Sequence, residues 1–230
     1  MTERTELEIE LGPDLGRVSA ILIRPPNAWL LYVLAHGAGA GMRHRFLESI
    51  SAALATRGVA TLRYQFPYME RGSRSPDSPA VAEATVRAAV KWASEAAPDL
   101  ALVAGGKSFG GRMTSGAAAT SLPGLRGLAF LGFPLHPPGR PDTRRADHLD
   151  SVELPMLFLQ GTRDQFAQLD LITSVCARLG DRATLHLVDG GDHSFGVPKR
   201  SGRTPDAVLE ELAGTLVEWA RARVTVEAAG

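Results

Sequence analysis

A single cysteine, Cys176, stands in a chain of 230 residues. No intrachain disulfide is possible, and a cysteine-built zinc site is not expected. Charge of one sign is also missing: 25 Lys and Arg balance 25 Asp and Glu, for a formal net charge of zero. Neither the basic footprint of a nucleic-acid binder nor an acidic tail is present, so no nucleic-acid partner is expected. Long hydrophobic runs are absent too. The longest strongly apolar stretch, Trp29 to Ala35, is far too short to cross a bilayer. The first residues, MTERTE, are charged and carry no signal-peptide core. These absences predict a cytoplasmic protein with no membrane partner. Oligomeric state is not readable from them. What the chain has is 44% hydrophobic composition, enough for one sizeable core, and residues 1–230 read as a single domain.

The hydrophobic pattern alternates strands with helices, and no internal repeat or low-complexity tract interrupts it. Leu7 to Leu11 and Val18 to Ile23 predict an opening hairpin. LLYVLA (30–35) is the continuous apolar run of a strand buried on both faces. Phe46 to Thr56 has helical periodicity and stops at Gly58. Val59 to Tyr64 is a strand. Ser78-Pro79 opens a helix with a capping side chain and a first-turn proline, and Val81, Thr85, Ala88 and Trp92 fall on one face of it. Further strands are predicted at 100–104, 125–133, 155–160 and 183–188, with helices at about 166–179 and 205–223. Strands separated by helices imply a mostly parallel central sheet with helices on both faces, an α/β fold. Two Arg- and Pro-rich loops, 65–78 and 134–147, follow strand ends, where open parallel sheets place their ligands.

The stretch GGKSFGG (105–111) joins an apolar strand to a helix of small residues. Gly106-Lys-Ser-Phe-Gly110 fits G-x-S-x-G, a turn that holds its serine in a strained backbone and needs small neighbours. Ser108 is the candidate nucleophile, and the Phe109 N–H at the helix N-terminus could hold an oxyanion. A serine needs a base, and the base needs a carboxylate to orient it. Both follow in order at strand ends: Asp164 in GTRD (161–164) and His193 in GDHSF (191–195). Asp189 and Asp192 are rival acids, lying close to His193 in sequence. A second oxyanion donor is expected in the glycine-rich loop HGAGAG (36–41): Ala38, with Gly39 as the alternative and His36 orienting the loop.

Other readings of the same residues are plainer. Gly-Lys-Ser hints at a phosphate loop, but that loop needs glycine at position 101, which is alanine within a strand. HGAGAG meets a dinucleotide fingerprint only loosely, because position 42 is methionine. Asp164 could merely cap the helix that follows it. His44, His136, His148 and His186 read as structural or surface residues. Cys176 reads as core, and Lys107 as solvated.

HGAGAG, GKSFGG, GTRD and GDHSF together, in this order, resemble the α/β-hydrolase fold over nearly the whole chain. FPYMERG (66–72) and GFPLHPPGRP (132–141) are similar to a narrower branch of small dienelactone-hydrolase-like proteins, which includes the hydrolase-like domain of a eukaryotic chromatin acetyltransferase subunit. The resemblance implies a serine hydrolase that cleaves an ester or related small acyl substrate through an acyl-enzyme, without cofactor or metal. Dienelactone hydrolases proper use a cysteine nucleophile. Ser108 departs from that, so their substrate does not carry over. Many hydrolases of this fold insert a helical lid where Pro134 to Asp147 stands here; four prolines and the shortness of the stretch predict none. If Arg71, Arg74, Arg140, Arg144 and Arg145 face the serine, a substrate with a carboxylate is expected; otherwise they are solvated charges. The alternative to an enzyme is a binding or scaffold protein that keeps the fold without turnover.

Overall fold

A computed structural model describes residues 2–224. The span read as one domain therefore reaches residue 1 and residues 225–230, which lie outside the described ones. The opening hairpin forms as β1 (Glu3–Gly12) and β2 (Gly16–Arg24), antiparallel to each other. Strand β3 (Leu30–Ala35) leads to helix α1 (Arg45–Ala55), and β4 (Val59–Tyr64) leads to a short helix α2 (Pro67–Glu70) and then α3 (Pro79–Ala96). Next come β5 (Ala101–Lys107), α4 (Phe109–Thr120) and β6 (Leu125–Leu131). The chain ends with β7 (Met156–Gly161), α5 (Leu169–Leu179), β8 (Ala183–Val188) and α6 (Pro205–Arg223).

The strands make one sheet in the order β1-β2-β4-β3-β5-β6-β7-β8, antiparallel at β1, β2 and β4 and parallel beyond. Alternation along β3 explains its unbroken apolar sequence. Leu31, Val33 and Ala35 enter the core under α3, α4 and α5, whereas Leu30, Tyr32 and Leu34 enter the core under α1 and α6. Each of the leucines and Val33, fully buried, contributes roughly 1.5–3 kcal/mol from removed apolar surface. Strand β1 is an edge and shows one buried face only: Leu7, Ile9 and Leu11 pack inward, while the glutamates between them stay in water.

Local capping follows the sequence. Ser78 Oγ accepts from Val81 N (3.5 Å) ahead of Pro79, and Thr204 Oγ1 accepts from Ala207 N (3.1 Å) ahead of Pro205. The inward face of α3 is shifted from the expected one. Ala82, Thr85, Val86, Ala89, Val90 and Ala93 are buried, while Val81, Ala88 and Trp92 sit at the margin. Loop 65–78 is not wholly irregular, since α2 lies inside it with Phe66 and Tyr68 buried. The stretch 134–147 builds no helical lid; it runs as turns and then enters a 3-10 helix, Arg144–Ser151. Among the described residues no helix is long and apolar enough to cross a membrane. Cys176 is buried on α5, and burial pushes its thiol up to about 12, which leaves it an inert core residue.

Candidate active site

The end of β5 and the start of α4 press against β3. A Cβ at Gly106 would lie 2.4 Å from Ala35 O, and one at Gly110 would lie 2.6 Å from His36 O. Only glycine permits this approach, so the glycines of the turn fasten it to the sheet as well as opening space around the serine. Ser108 itself sits at φ 50° and ψ −114°, a region that L-residues avoid. Its N–H donates to Leu131 O (3.1 Å) and its carbonyl accepts from Arg112 N (3.1 Å), which holds the strained residue between β6 and α4.

His193 arrives from the loop after β8. Its Nε2 lies 2.8 Å from Ser108 Oγ, and its Nδ1 lies 2.7 Å from Asp164 Oδ2. A carboxylate oxygen accepts, so Nδ1 carries the proton and Nε2 is left to accept from the serine hydroxyl. Asp164 follows β7, its side chain wholly buried. Gln160 Nε2 donates to its Oδ2 (2.5 Å) and Phe166 N to its Oδ1 (2.8 Å). The helix after this loop starts at Leu169 with Gln168 at its cap, so Asp164 is not its N-cap. Of the rival acids, Asp192 folds its own loop, taking Ser194 N and Gly196 N on Oδ1, and Asp189 is exposed. Phe166 lays its ring 4.3 Å from the His193 ring and covers one side of it.

The HGAGAG loop supplies backbone donors. Gly39 N donates to Tyr68 Oη (2.9 Å) and Ala40 N to Gly37 O (3.2 Å). The N–H groups of Ala38 and Phe109 have no partner among the described residues. Between the two expected candidates, geometry therefore leaves Ala38 available and commits Gly39. His36 is buried, with Nδ1 2.8 Å from Gly37 O and Nε2 accepting from Phe66 N (3.1 Å). Burial pushes its pKa down to about 4 against the smaller opposing pull of the Gly37 carbonyl, so it holds the loop as a neutral ring. Gln65 Oε1 takes Met42 N (2.8 Å), and the buried Arg63 Nη1 donates to Met42 O (2.9 Å). Loop 65–78 is thus the brace of the glycine-rich loop.

Lys107 departs from expectation. It is not solvated: Nζ donates to His193 O at 2.5 Å, and burial pushes its pKa down to about 8 although Asp164 and Asp192 pull the other way. The lysine pins the histidine loop onto the serine turn. Sequence reasoning missed this contact, and missed Gln160 and Tyr68 as supports. Gln160 did leave a signal, a polar residue ending the buried run MLFLQ. The arginines do not face the serine. A cleft of about 350 Å³ at Ser108 and His193 is lined by Ala38, Phe46, Leu47, Phe166 and Lys107 among others, with no arginine in its wall. Arg71 pairs with Asp77 (2.6 Å) instead. His44 does reach the cleft, where its Nδ1 caps α1 by accepting from Phe46 N (3.3 Å).

A family described as the alpha/beta hydrolase domain matches residues 29–221, which spans β3 through most of α6 and every residue of this arrangement. The chain belongs to the α/β-hydrolase domain family. Solved structures share its fold at low identity. A dienelactone hydrolase from Anabaena variabilis superposes with a TM-score of 0.77 at 18% identity, over 97% of this chain and 99% of that one. XC6422 from Xanthomonas campestris, described as an α/β serine hydrolase without lid, gives 0.74 at 21% identity over 98% and 97%. The esterase domain of a Rhodothermus marinus protein gives 0.73 at 18% identity over 97% and 100%. As a member of this family the chain has its serine turn, acid loop and histidine loop after β5, β7 and β8, at one edge of the sheet.

Proposed function

We propose that the protein is a serine hydrolase that cleaves a small ester or related acyl substrate through an acyl-enzyme on Ser108. Family membership and neighbours titled esterase, serine hydrolase and dienelactone hydrolase support a hydrolase. One observation carries the finer reading: the unbroken chain Asp164–His193–Ser108, at 2.7 and 2.8 Å, opening on a cleft beside two unpartnered backbone N–H groups.

In this reading His193 Nε2 takes the Ser108 proton as Oγ attacks the acyl carbon. Charge develops on the carbonyl oxygen between the N–H groups of Ala38 and Phe109, at the N-terminus of α4. Asp164 keeps the proton on Nδ1 and steadies the imidazolium. His193 then protonates the leaving alkoxide as the C–O bond breaks. A water gives its proton to the same nitrogen and attacks the acyl-enzyme, and collapse releases the acid and restores Ser108. Phe46, Leu47 and Phe166 give the cleft apolar walls, which favours a short uncharged acyl group over the carboxylate-bearing substrate that arginines at the serine would have selected.

The test is hydrolysis of aryl acetate and butyrate esters by the wild type and by Ser108→Ala. The variant should keep its melting temperature and lose turnover by several orders of magnitude, on the order of 10⁶. Turnover within tenfold of wild type in folded Ser108→Ala would refute the assignment and leave the scaffold reading.

A further inference from the structure

The arginines absent from the cleft gather elsewhere. A second cavity, of about 490 Å³, is lined by Arg112, Arg140, Arg144 and Arg145 together with His148 and a single carboxylate, Asp142. Three separate segments supply the arginines: α4, the turn after β6, and the 3-10 helix Arg144–Ser151. In a chain of zero net charge this is a concentrated excess of one sign. Asp142 neutralises only Arg144, through Oδ2 to Nε at 2.5 Å. The guanidinium groups of Arg112, Arg140 and Arg145 have no hydrogen bond or ion pair among the described residues. Arg112 is half-buried. Burial and the neighbouring Arg145 both lower its pKa, against a weaker opposing pull from Glu83. Two like charges held close in a partly dry site repel, and an anion between them removes the penalty.

Two histidines complete the wall. Ser115 gives its one proton to Arg112 O (2.9 Å), so it accepts from His148 Nε2 (2.8 Å), and that imidazole is held beside the arginines. His136 has both ring nitrogens engaged: Nδ1 lies 2.9 Å from Pro137 O, and Nε2 accepts from Gln168 N (3.3 Å). The cavity shares no lining residue with the cleft at Ser108. His136 N donates to Phe166 O (3.0 Å), so one lining residue of this cavity is bonded to the segment that covers His193.

We propose that this pocket is a binding site for a multiply charged oxyanion of the phosphate class, separate from the ester-cleaving cleft. Planar guanidinium groups match such an anion in charge and in paired donors, where carboxylate recognition would need only one of them. The anion is either a free phosphate compound or a phosphate group carried by a larger substrate.

The experiment is calorimetric titration of the full chain with pyrophosphate at low ionic strength. One saturable site is expected, weakened by added salt. Arg145→Gln should weaken it about tenfold or more, and Arg112→Gln with Arg145→Gln should abolish it. Arg200→Gln, an exposed arginine far along the sequence, should change nothing, and Ser108→Ala should bind as wild type does. Arg145→Gln removes a repelling charge, so its unliganded form should melt no lower than wild type, which keeps the variant interpretable. Absence of saturable binding, or equal affinity in wild type and Arg145→Gln, overturns the proposal. Kinetics separate the two sources. A KM that rises in Arg145→Gln for a phosphate-bearing aryl ester, and not for its neutral parent, assigns the group to the substrate. Unchanged ester kinetics alongside lost pyrophosphate binding assign it to a free ligand.

Discussion

Ser108 and Phe195 are the non-glycine residues with positive φ among the described ones, at 50° and 64°: one is the serine of the hydrogen-bonded chain and the other lies two residues after its histidine. Strain of this kind costs on the order of 1–3 kcal/mol per residue and persists only where its surroundings over-determine it. Here Leu131 O, Arg112 N and the Lys107 bond to His193 O supply that restraint. Tyr68 does similar work for the glycine-rich loop, since its hydroxyl is the partner of Gly39 N. Tyr68→Phe removes that partner and leaves the ring packing in place. Its kcat for a short ester should fall by about five- to tenfold, as befits one hydrogen bond, with KM little changed. Steady-state kinetics check this; a changed KM at constant kcat would mean that Tyr68 contacts substrate rather than bracing the loop.

At the scale of elements, α4 and α6 make opposite demands of glycine. A methyl group at Gly110 would collide with Ala35 Cβ at 2.7 Å and with His36 O, so α4 could accommodate it only by moving away from β3. Gly214, in α6, has nothing within 4 Å of such a methyl. Gly110→Ala should therefore destabilise by about 1–3 kcal/mol and depress ester turnover further than the stability loss explains. Gly214→Ala should stabilise by about 0.5–1 kcal/mol and leave turnover alone. Urea titrations of the two variants compare them directly; equal signs would show that the glycines of the turn are not there for space. The same contrast explains what the sequence disclosed. Turn chemistry is local, so the serine, acid and histidine motifs, and the caps at Ser78 and Thr204, could be read from a few adjacent residues. The face of α3 could not, because alanines surround the helix and blur its periodicity. Nor could Lys107, whose partner lies 86 residues away, or the arginines of 134–147, whose cavity exists only once the turn after β6 packs beside α4.

For the molecule as a whole, the parallel strands point their C-terminal ends at one edge, where β3, β5, β7 and β8 deliver the four candidate segments. Among the supports of that edge is a pH-dependent one. His36 has an ordinary value of 6.5, lowered to about 4 in the fold by burial. Between those values the unfolded chain binds a proton that the native protein refuses. Stability from this residue is full above pH 6.5 and falls as pH drops toward 4, by roughly 3 kcal/mol in all. His36→Gln, which can still donate to Gly37 O and accept from Phe66 N, should lose less stability over that range; parallel urea titrations at pH 7 and pH 4.5 would show the difference. The central claim is that Ser108 is a nucleophile activated by His193. The measurement that addresses it most directly is intact-mass analysis, with peptide mapping, of the folded protein after treatment with a fluorophosphonate. The account predicts one adduct, on Ser108, absent from Ser108→Ala and strongly slowed in His193→Ala. Folded wild-type protein that takes up no label, or takes it up at another serine, would contradict it.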